Sequence, residues 1–125
     1  MSASTILRAF GAFPQGSAEC ALVAQHEART LAGSAQARAA FEMDMLAPEL
    51  SVYFRAWIAF DQQAGEEQRG GPANAVRALL GVLRNAIFED EANQRELLVH
   101  WDAVAGLLAH LMPFERMSDP TRASH

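Results

Sequence analysis

The chain has 125 residues and a mass of 13.6 kDa, which is enough for one domain with its own hydrophobic core. Its net charge is −5, and its ten basic residues are all arginines that stand singly along the chain, so no cationic patch is predicted and direct nucleic-acid binding is not expected. The single cysteine, Cys20, excludes an internal disulfide and an all-cysteine metal site.

The sequence shows no sign of a secretory leader or a membrane span. The apolar stretch 6–13 is short and interrupted, and the charged Glu19 directly before Cys20 argues against a lipoprotein cleavage site. No apolar run approaches the length that a bilayer requires. The exclusive use of arginine as the basic residue, together with abundant alanine, is typical of a GC-rich bacterial genome. We therefore expect a bacterial cytoplasmic protein that does not bind membranes.

The N-terminal part contains one clear helix. Residues 1–14 are predicted to form either an arm or a short helix. Ser17 offers an N-cap for a helix over 18–32 that ends at Gly33. The apolar side of this helix is mostly alanine, which permits the close approach of another helix.

Two more helices are predicted in the middle of the chain. Ser34 has the residue type of an N-cap before a helix over 35–46, and Pro48 suits the first turn of the next helix. From Glu49 to Phe60 the pattern is apolar on nearly all sides, which is typical of a central helix. Residues after it, 65–71, read Gly-Glu-Glu-Gln-Arg-Gly-Gly and are predicted to form a loop.

The stretch from Pro72 to Met112 is predicted to form a pair of amphipathic helices, over about 72–88 and 91–112. Apolar residues recur at intervals of three or four in two runs: Ala73, Val76, Leu80, Leu83 and Ile87, then Leu97, Trp101, Val104, Leu108 and Leu111. Asp90 is a good N-cap type, and its acidic neighbours favour a helix start there. A single long helix across both runs remains an alternative.

No segment alternates apolar and polar residues, and no Asn-Gly or Asp-Gly hairpin turn occurs. The predicted fold class is therefore all-α: a single-domain bundle of about five helices over residues 1–112. Pro113 ends the last helix, and residues 113–125 are predicted to form a flexible tail.

No catalytic residue, metal site or cofactor is predicted. His100 and His110 are ten residues apart, about 15 Å along a helix, so they cannot share one metal ion. The chain has neither the His-Glu-x-x-His motif nor the Glu-x-x-His pair of di-iron bundles, and no nucleophile elbow. A haem bound through His100 or His110 remains an alternative.

The apolar stripes of the two C-terminal helices are wider than one facing helix covers, which indicates a surface for another protein. The predicted interface residues are Leu79, Arg84, Leu98 and Trp101. We expect a non-enzymatic interaction module, an acidic bacterial regulator, adaptor or accessory subunit, whose partner is another protein or a second copy in a homodimer.

The alternative function is binding of a small molecule, as in a sensor domain. The aromatic residues Tyr53, Trp57, Phe60 and Trp101 could line an apolar pocket for it, although such a stripe also suits an ordinary helix–helix core.

Part of the C-terminal half also resembles a known family. Three stretches, Leu-Leu-Gly-Val-Leu at 79–83, Ile-Phe-Glu-Asp at 87–90 and Leu-Val-His-Trp-Asp-Ala-Val-Ala at 98–105, are similar to the ligand-binding part of MmyB-like bacterial transcription regulators. In that family a helix, an acidic break and an Asn-Trp-x-x-Val-like segment recur. Here His100 stands where asparagine is common, and no helix-turn-helix precedes the stretch. The resemblance implies a sensor-like helical domain.

Overall fold

The computed structural model describes residues 3–107 and 109, and for residues 66 and 67 it describes the backbone alone. Every regular element in this part of the chain is helical, so the all-α prediction is confirmed. The α-helices are α1 Ala3–Ala9, α2 Ser17–Ala32, α3 Ala35–Ala40, α4 Met43–Leu46, α5 Leu50–Gln63, α6 Glu66–Ala86 and α7 Glu91–Val99. Short 3-10 turns occupy Phe10–Ala12 and Ala47–Glu49, and a further helical stretch, the C-terminal segment, covers 101–107. The predicted tail, with Leu108 and His110 to Met112 before it, lies outside the described residues.

Helices α2 and α6 form the largest contact between two elements, and they run parallel. Ser17 near the start of α2 lies beside Gly71, and Ala28 lies beside Gly81. At the far end, the Asn85 side chain donates a hydrogen bond to the Ala28 carbonyl at 2.8 Å. The facing residues are small, so the two backbones approach closely, as the alanine-rich side of α2 predicts.

Many of the larger core side chains come from α1, the 3-10 turn after it, α4 and α5. Ile6 and Phe10 are fully buried, and the Phe10 ring lies 5.3 Å from the ring of Tyr53 on α5. Leu50, Phe54 and Trp57 continue the buried side of α5. The apolar character of α5 thus places one of its faces in the core, as expected for a central helix.

A group of buried polar contacts joins the end of α6 and the start of α7 to α2 and α3. Asn93 is buried, and its amide donates to the carbonyls of Arg38 and Ala86, each at 2.8 Å. Arg38 is also buried and donates to the Leu31 carbonyl at 2.7 Å, which satisfies a free carbonyl at the C-terminal end of α2. The predicted caps hold at both ends of this region: the side chains of Asp90 and Ser34 accept hydrogen bonds from backbone N–H groups.

The prediction of a loop at 65–71 is wrong. Helix α6 begins at Glu66, six residues before Pro72, which is buried inside it. An ion pair between Arg69 and Asp61, 3.6 Å apart, holds this first part of α6 to the end of α5, and Gly71 packs on Ser17. These long-range contacts outweigh the weak helix propensity of glycine and proline.

Two predicted helices are divided. The helix over 35–46 ends at Ala40 and restarts at Met43, because Phe41 and Met43 are both buried and side chains two apart cannot share a helix face. The helix over 91–112 is interrupted at His100 within its described part. The break predicted between α6 and α7 is confirmed, with Glu89 in the left-handed region at φ 52°.

The buried stripe of α6 matches the predicted one only in part: Val76 and Leu83 are buried as predicted. Leu79, Val82 and Ala86 are fully buried, whereas Leu80 and Ile87 are half-buried. The helix is rotated by about one residue relative to the expectation, because its partner α2 contacts it at Gly71 and Gly81. None of the helices in the described part of the chain combines the length and the apolar character that crossing a bilayer demands.

We predict that Ala24→Leu destabilises the protein by about 1–3 kcal/mol, because Ala24 is fully buried on the small-residue side of α2 and the larger side chain overpacks the core. Ala18→Leu, at an exposed position of the same helix, is the control. Urea denaturation of both variants measures the free energy of unfolding. Equal stability of the two variants contradicts the close packing of α2.

We predict that Asn93→Ala lowers the free energy of unfolding by about 1–3 kcal/mol, because it leaves two buried carbonyls without their donor. The neighbouring Gln94→Ala is the control, since Gln94 is exposed and makes a single bond to the Ile87 carbonyl. Thermal and urea unfolding followed by circular dichroism compare the two. If Gln94→Ala lowers the free energy of unfolding as much as Asn93→Ala does, the buried hydrogen bonds of Asn93 do not have the structural role assigned to them.

Candidate interaction surface

The C-terminal part of the described chain exposes three large apolar side chains close together in sequence. Leu98 is 65% exposed, Val99 74% and Trp101 45%. Together they form what we call the C-terminal edge. Single exposed apolar residues are ordinary on a protein surface, whereas a contiguous apolar patch is typical of interaction sites.

The interruption at His100 accounts for the place of Trp101 in this edge. Helix α7 ends at Val99, and His100 has φ −110° and ψ 24°, outside regular helix geometry. Leu97 before the interruption and Val104 after it are both buried, so the break keeps these two residues in the core while Trp101 turns outward. In the uninterrupted helix predicted from the sequence, Trp101 belongs to the buried stripe instead.

A groove of about 410 Å³ lies next to the edge, between α5 and the C-terminal segment. Residues of the 3-10 turn and α5 form one wall: Ala47, Ser51, Phe54, Arg55 and Ile58. The other wall is formed by Val99, His100, Asp102, Ala103, Gly106 and Leu107. Val99 belongs both to the edge and to the groove, so the two features form one continuous surface.

The floor of the groove is apolar and its rims carry charge. Ala47, Phe54 and Leu107 are almost fully buried. Arg55 and Asp102 are exposed on opposite walls, and neither forms an ion pair within the described residues.

Three of the four predicted interface residues are exposed, and one is buried. Leu98 and Trp101 are exposed on the edge, as the prediction requires, and Arg84 is exposed on α6. Leu79 is fully buried in the core, so that assignment is corrected: it is not available to a partner in the folded chain.

The predicted aromatic pocket has no counterpart in the groove. Tyr53 and Trp57 are buried in the core, Phe60 is half-buried, Trp101 is exposed, and none of the four lines the groove. The groove uses the adjacent face of α5 instead. The sequence did contain a signal for this groove: α5 is apolar on nearly all sides, which is more than one core-facing side requires.

Histidines and metal-ligating groups are dispersed in the described part of the chain. His26 is exposed, His100 is half-buried in the groove wall, and His110 lies outside the described residues. Among residues 3–107 and 109, no three His, Cys, Asp or Glu side chains are grouped to hold a metal ion.

Three titratable groups are buried in the core. Burial raises the pKa of the Cys20 thiol, which contacts the Ala9 carbonyl, and raises the pKa of the Tyr53 hydroxyl to about 12. Burial also raises the pKa of Glu27, which is 1% exposed on the core side of α2. The Oε1 atom of Glu27 has no hydrogen-bond partner.

Comparison of the chain with protein-family models, with curated proteins and with solved structures gave no match. The likeness of residues 79–105 to MmyB-like regulators therefore depends on the quoted residues alone. In the structure these residues form the second half of α6, helix α7 and the start of the C-terminal segment.

We predict that Glu27→Gln stabilises the protein by about 1–3 kcal/mol at pH 7, because it removes a buried charge with an unsatisfied oxygen. The folded-state pKa of Glu27 is raised, so the folded protein holds this proton more tightly than the unfolded chain does. The wild-type free energy of unfolding therefore decreases as the pH rises from the ordinary glutamate pKa through the raised one.

The gain from Glu27→Gln should accordingly be small at low pH and increase towards neutrality. Urea denaturation between pH 4 and 7 measures it, with Glu19→Gln at an exposed position of α2 as the control. If the gain in the free energy of unfolding is the same at every pH, the raised pKa of Glu27 is contradicted.

Proposed function

We propose that this chain is a helical protein-interaction module that acts by docking its C-terminal edge on another protein, and that a second copy of the chain is one such partner. The observation that carries the proposal is the exposure of Leu98, Val99 and Trp101 within four consecutive positions. Burying such side chains on association contributes roughly 25 cal/mol for each Å² of apolar surface removed from water.

The composition of the edge supports a protein partner. Tryptophan is enriched among the residues that dominate binding energy at protein interfaces, and the best sites combine it with surrounding apolar side chains. Leu98 and Val99 precede Trp101 by three and two residues and are themselves exposed. Charged residues lie next to the edge, with Arg95 and Glu91 paired at 3.5 Å on the exposed side of α7. An apolar centre with a polar rim is the usual composition of a protein interface.

The charge of the chain adds a preference among partners. A net charge of −5 steers encounter towards surfaces of positive potential, which affects the association rate more than the affinity. Copies of the chain repel each other weakly at long range, so self-association depends on the apolar contact and tolerates salt. The proposed role is that of an adaptor, a regulator or an accessory subunit.

We predict that the purified protein dimerises at tens of micromolar and that Leu98→Glu weakens the dimer at least about tenfold, because a charge replaces an apolar contact at the edge. Sedimentation velocity over a concentration series measures the dissociation constant.

Leu22→Glu is the matched control, since Leu22 is also 65% exposed but lies on α2. We expect it to dimerise like the wild type. A wild-type protein that stays monomeric throughout the series, or equal effects of the two variants, would contradict the proposed use of the edge for self-association.

A further inference from the structure

The C-terminal edge has a positive side chain before its apolar centre and a negative one after it. Arg95 on α7 lies three residues before Leu98 and four before Val99, so it shares a face of the helix with both. Asp102 follows the break and lines the same groove as Val99, so these two residues border one surface. Arg95 and Asp102 are both exposed. The apolar edge therefore has a guanidinium group towards one end and a carboxylate towards the other.

The charged groups around the edge leave both side chains open to a partner. The Arg95 guanidinium lies 3.5 Å from the Glu91 carboxylate, but the two side chains are 79% and 85% exposed, so water competes strongly with this ion pair. Glu96 is also exposed, about 100° further around the helix than Arg95. Asp102 forms no ion pair in the described part of the chain, either with Arg55 across the groove or with another residue.

A two-fold axis makes this arrangement complementary to itself. In a symmetric dimer, each contact between two different residues occurs twice, once in each direction. Arg95 precedes Leu98 by three residues, and Asp102 follows Val99 by three. With the axis between Leu98 and Val99 and perpendicular to α7, the two edges run antiparallel, and each Arg95 meets Asp102 of the other copy. This pairing depends on the order of the residues along the edge and does not require a continuous helix.

The parallel arrangement of two edges is electrostatically worse. It places Arg95 opposite Arg95 and Asp102 opposite Asp102, so both contacts join like charges. The antiparallel arrangement replaces these two repulsions with two attractions, and arginine with a carboxylate is the strongest type of side-chain ion pair. The charges therefore select one orientation, and they favour a second copy of the chain as the partner because its edge carries the complementary charges in the matching order.

We infer that the C-terminal edge pairs antiparallel with the edge of a second copy, with Leu98 and Val99 at the two-fold axis and Arg95 of each copy bound to Asp102 of the other. The inference rests on the proposed function, because it requires that the edge self-associates, and it adds the orientation and the specific contacts. The apolar centre contributes most of the affinity, and the two charge pairs set the orientation.

Charge reversal at the two positions tests the contacts. Sedimentation velocity measures the dissociation constant of the dimer for Arg95→Glu, for Asp102→Arg and for the double variant. We expect each single variant to weaken the dimer about tenfold, because two like-charge contacts replace two attractive ones, and the double variant to return to within about threefold of the wild type. Asp102→Arg makes the chain less negative, so a general effect of net charge would strengthen the dimer instead.

A mixture of the two single variants gives a second readout. A copy with Arg95→Glu and a copy with Asp102→Arg present opposite charges to each other at both contacts. We therefore expect the two variants, each weak alone, to associate with one another within about threefold of the wild-type affinity. A fluorescein label on one of them allows fluorescence-detected sedimentation to follow the mixed dimer.

Arg29→Glu is the matched control, because Arg29 is exposed on α2 and its reversal changes the net charge by the same amount as Arg95→Glu. We expect its dissociation constant to stay within about threefold of that of the wild type. Circular dichroism of all the variants verifies that the helical fold is retained.

Failure of this inference is distinguishable from failure of the edge proposal. If the wild type stays monomeric, or if Leu98→Glu leaves the dimer unchanged, self-association through the edge is wrong and the pairing is wrong with it. If Leu98→Glu weakens the dimer while the two charge reversals do not, the edge associates in another orientation and only the pairing is overturned. Losses that add up in the double variant also overturn the pairing, because they show that the two side chains are not in contact.

Discussion

The parallel contact of α2 with α6 is the constraint on which the rest of the molecule depends. Small residues on both helices, with Gly71 beside Ser17 and Gly81 beside Ala28, allow the backbones to lie close together. Such a contact buries little apolar area for each residue, so it cannot stabilise the domain by itself. Larger side chains of α1, of the 3-10 turn after it and of α5 supply much of the remaining core, and the rings of Phe10 in that turn and Tyr53 on α5 lie 5.3 Å apart.

Helix α7 is attached to the rest of the domain mainly by hydrogen bonds rather than by apolar packing. This explains why Leu98 and Val99 of the C-terminal edge are exposed. The helix buries one large apolar side chain, Leu97, and otherwise depends on the hydrogen bonds of Asn93 to the carbonyls of Arg38 and Ala86. Hydrogen bonds of this kind fix orientation precisely because each buried carbonyl must find its donor. They leave the other side of α7 without a covering element in the described structure, so Leu98 and Val99 lie in solvent.

Helix α5 connects the core to the groove that adjoins the C-terminal edge. One of its faces carries Tyr53 and Trp57 into the core, and the neighbouring face presents Ile58 and Arg55 to the groove. Because residues of the core orient this helix, the fold fixes the position of the groove wall.

The sequence by itself determined the features that arise from contacts within a few residues: the all-α class, the caps at Ser34 and Asp90, and the end of α2 at Gly33. Capping and periodicity act locally, so they can be read from the chain. Only the tertiary structure decided the start of α6 before Pro72 and the burial of Leu79. Each of these depends on residues distant in sequence, because a helix has several faces that could be buried and only its neighbours in space select one.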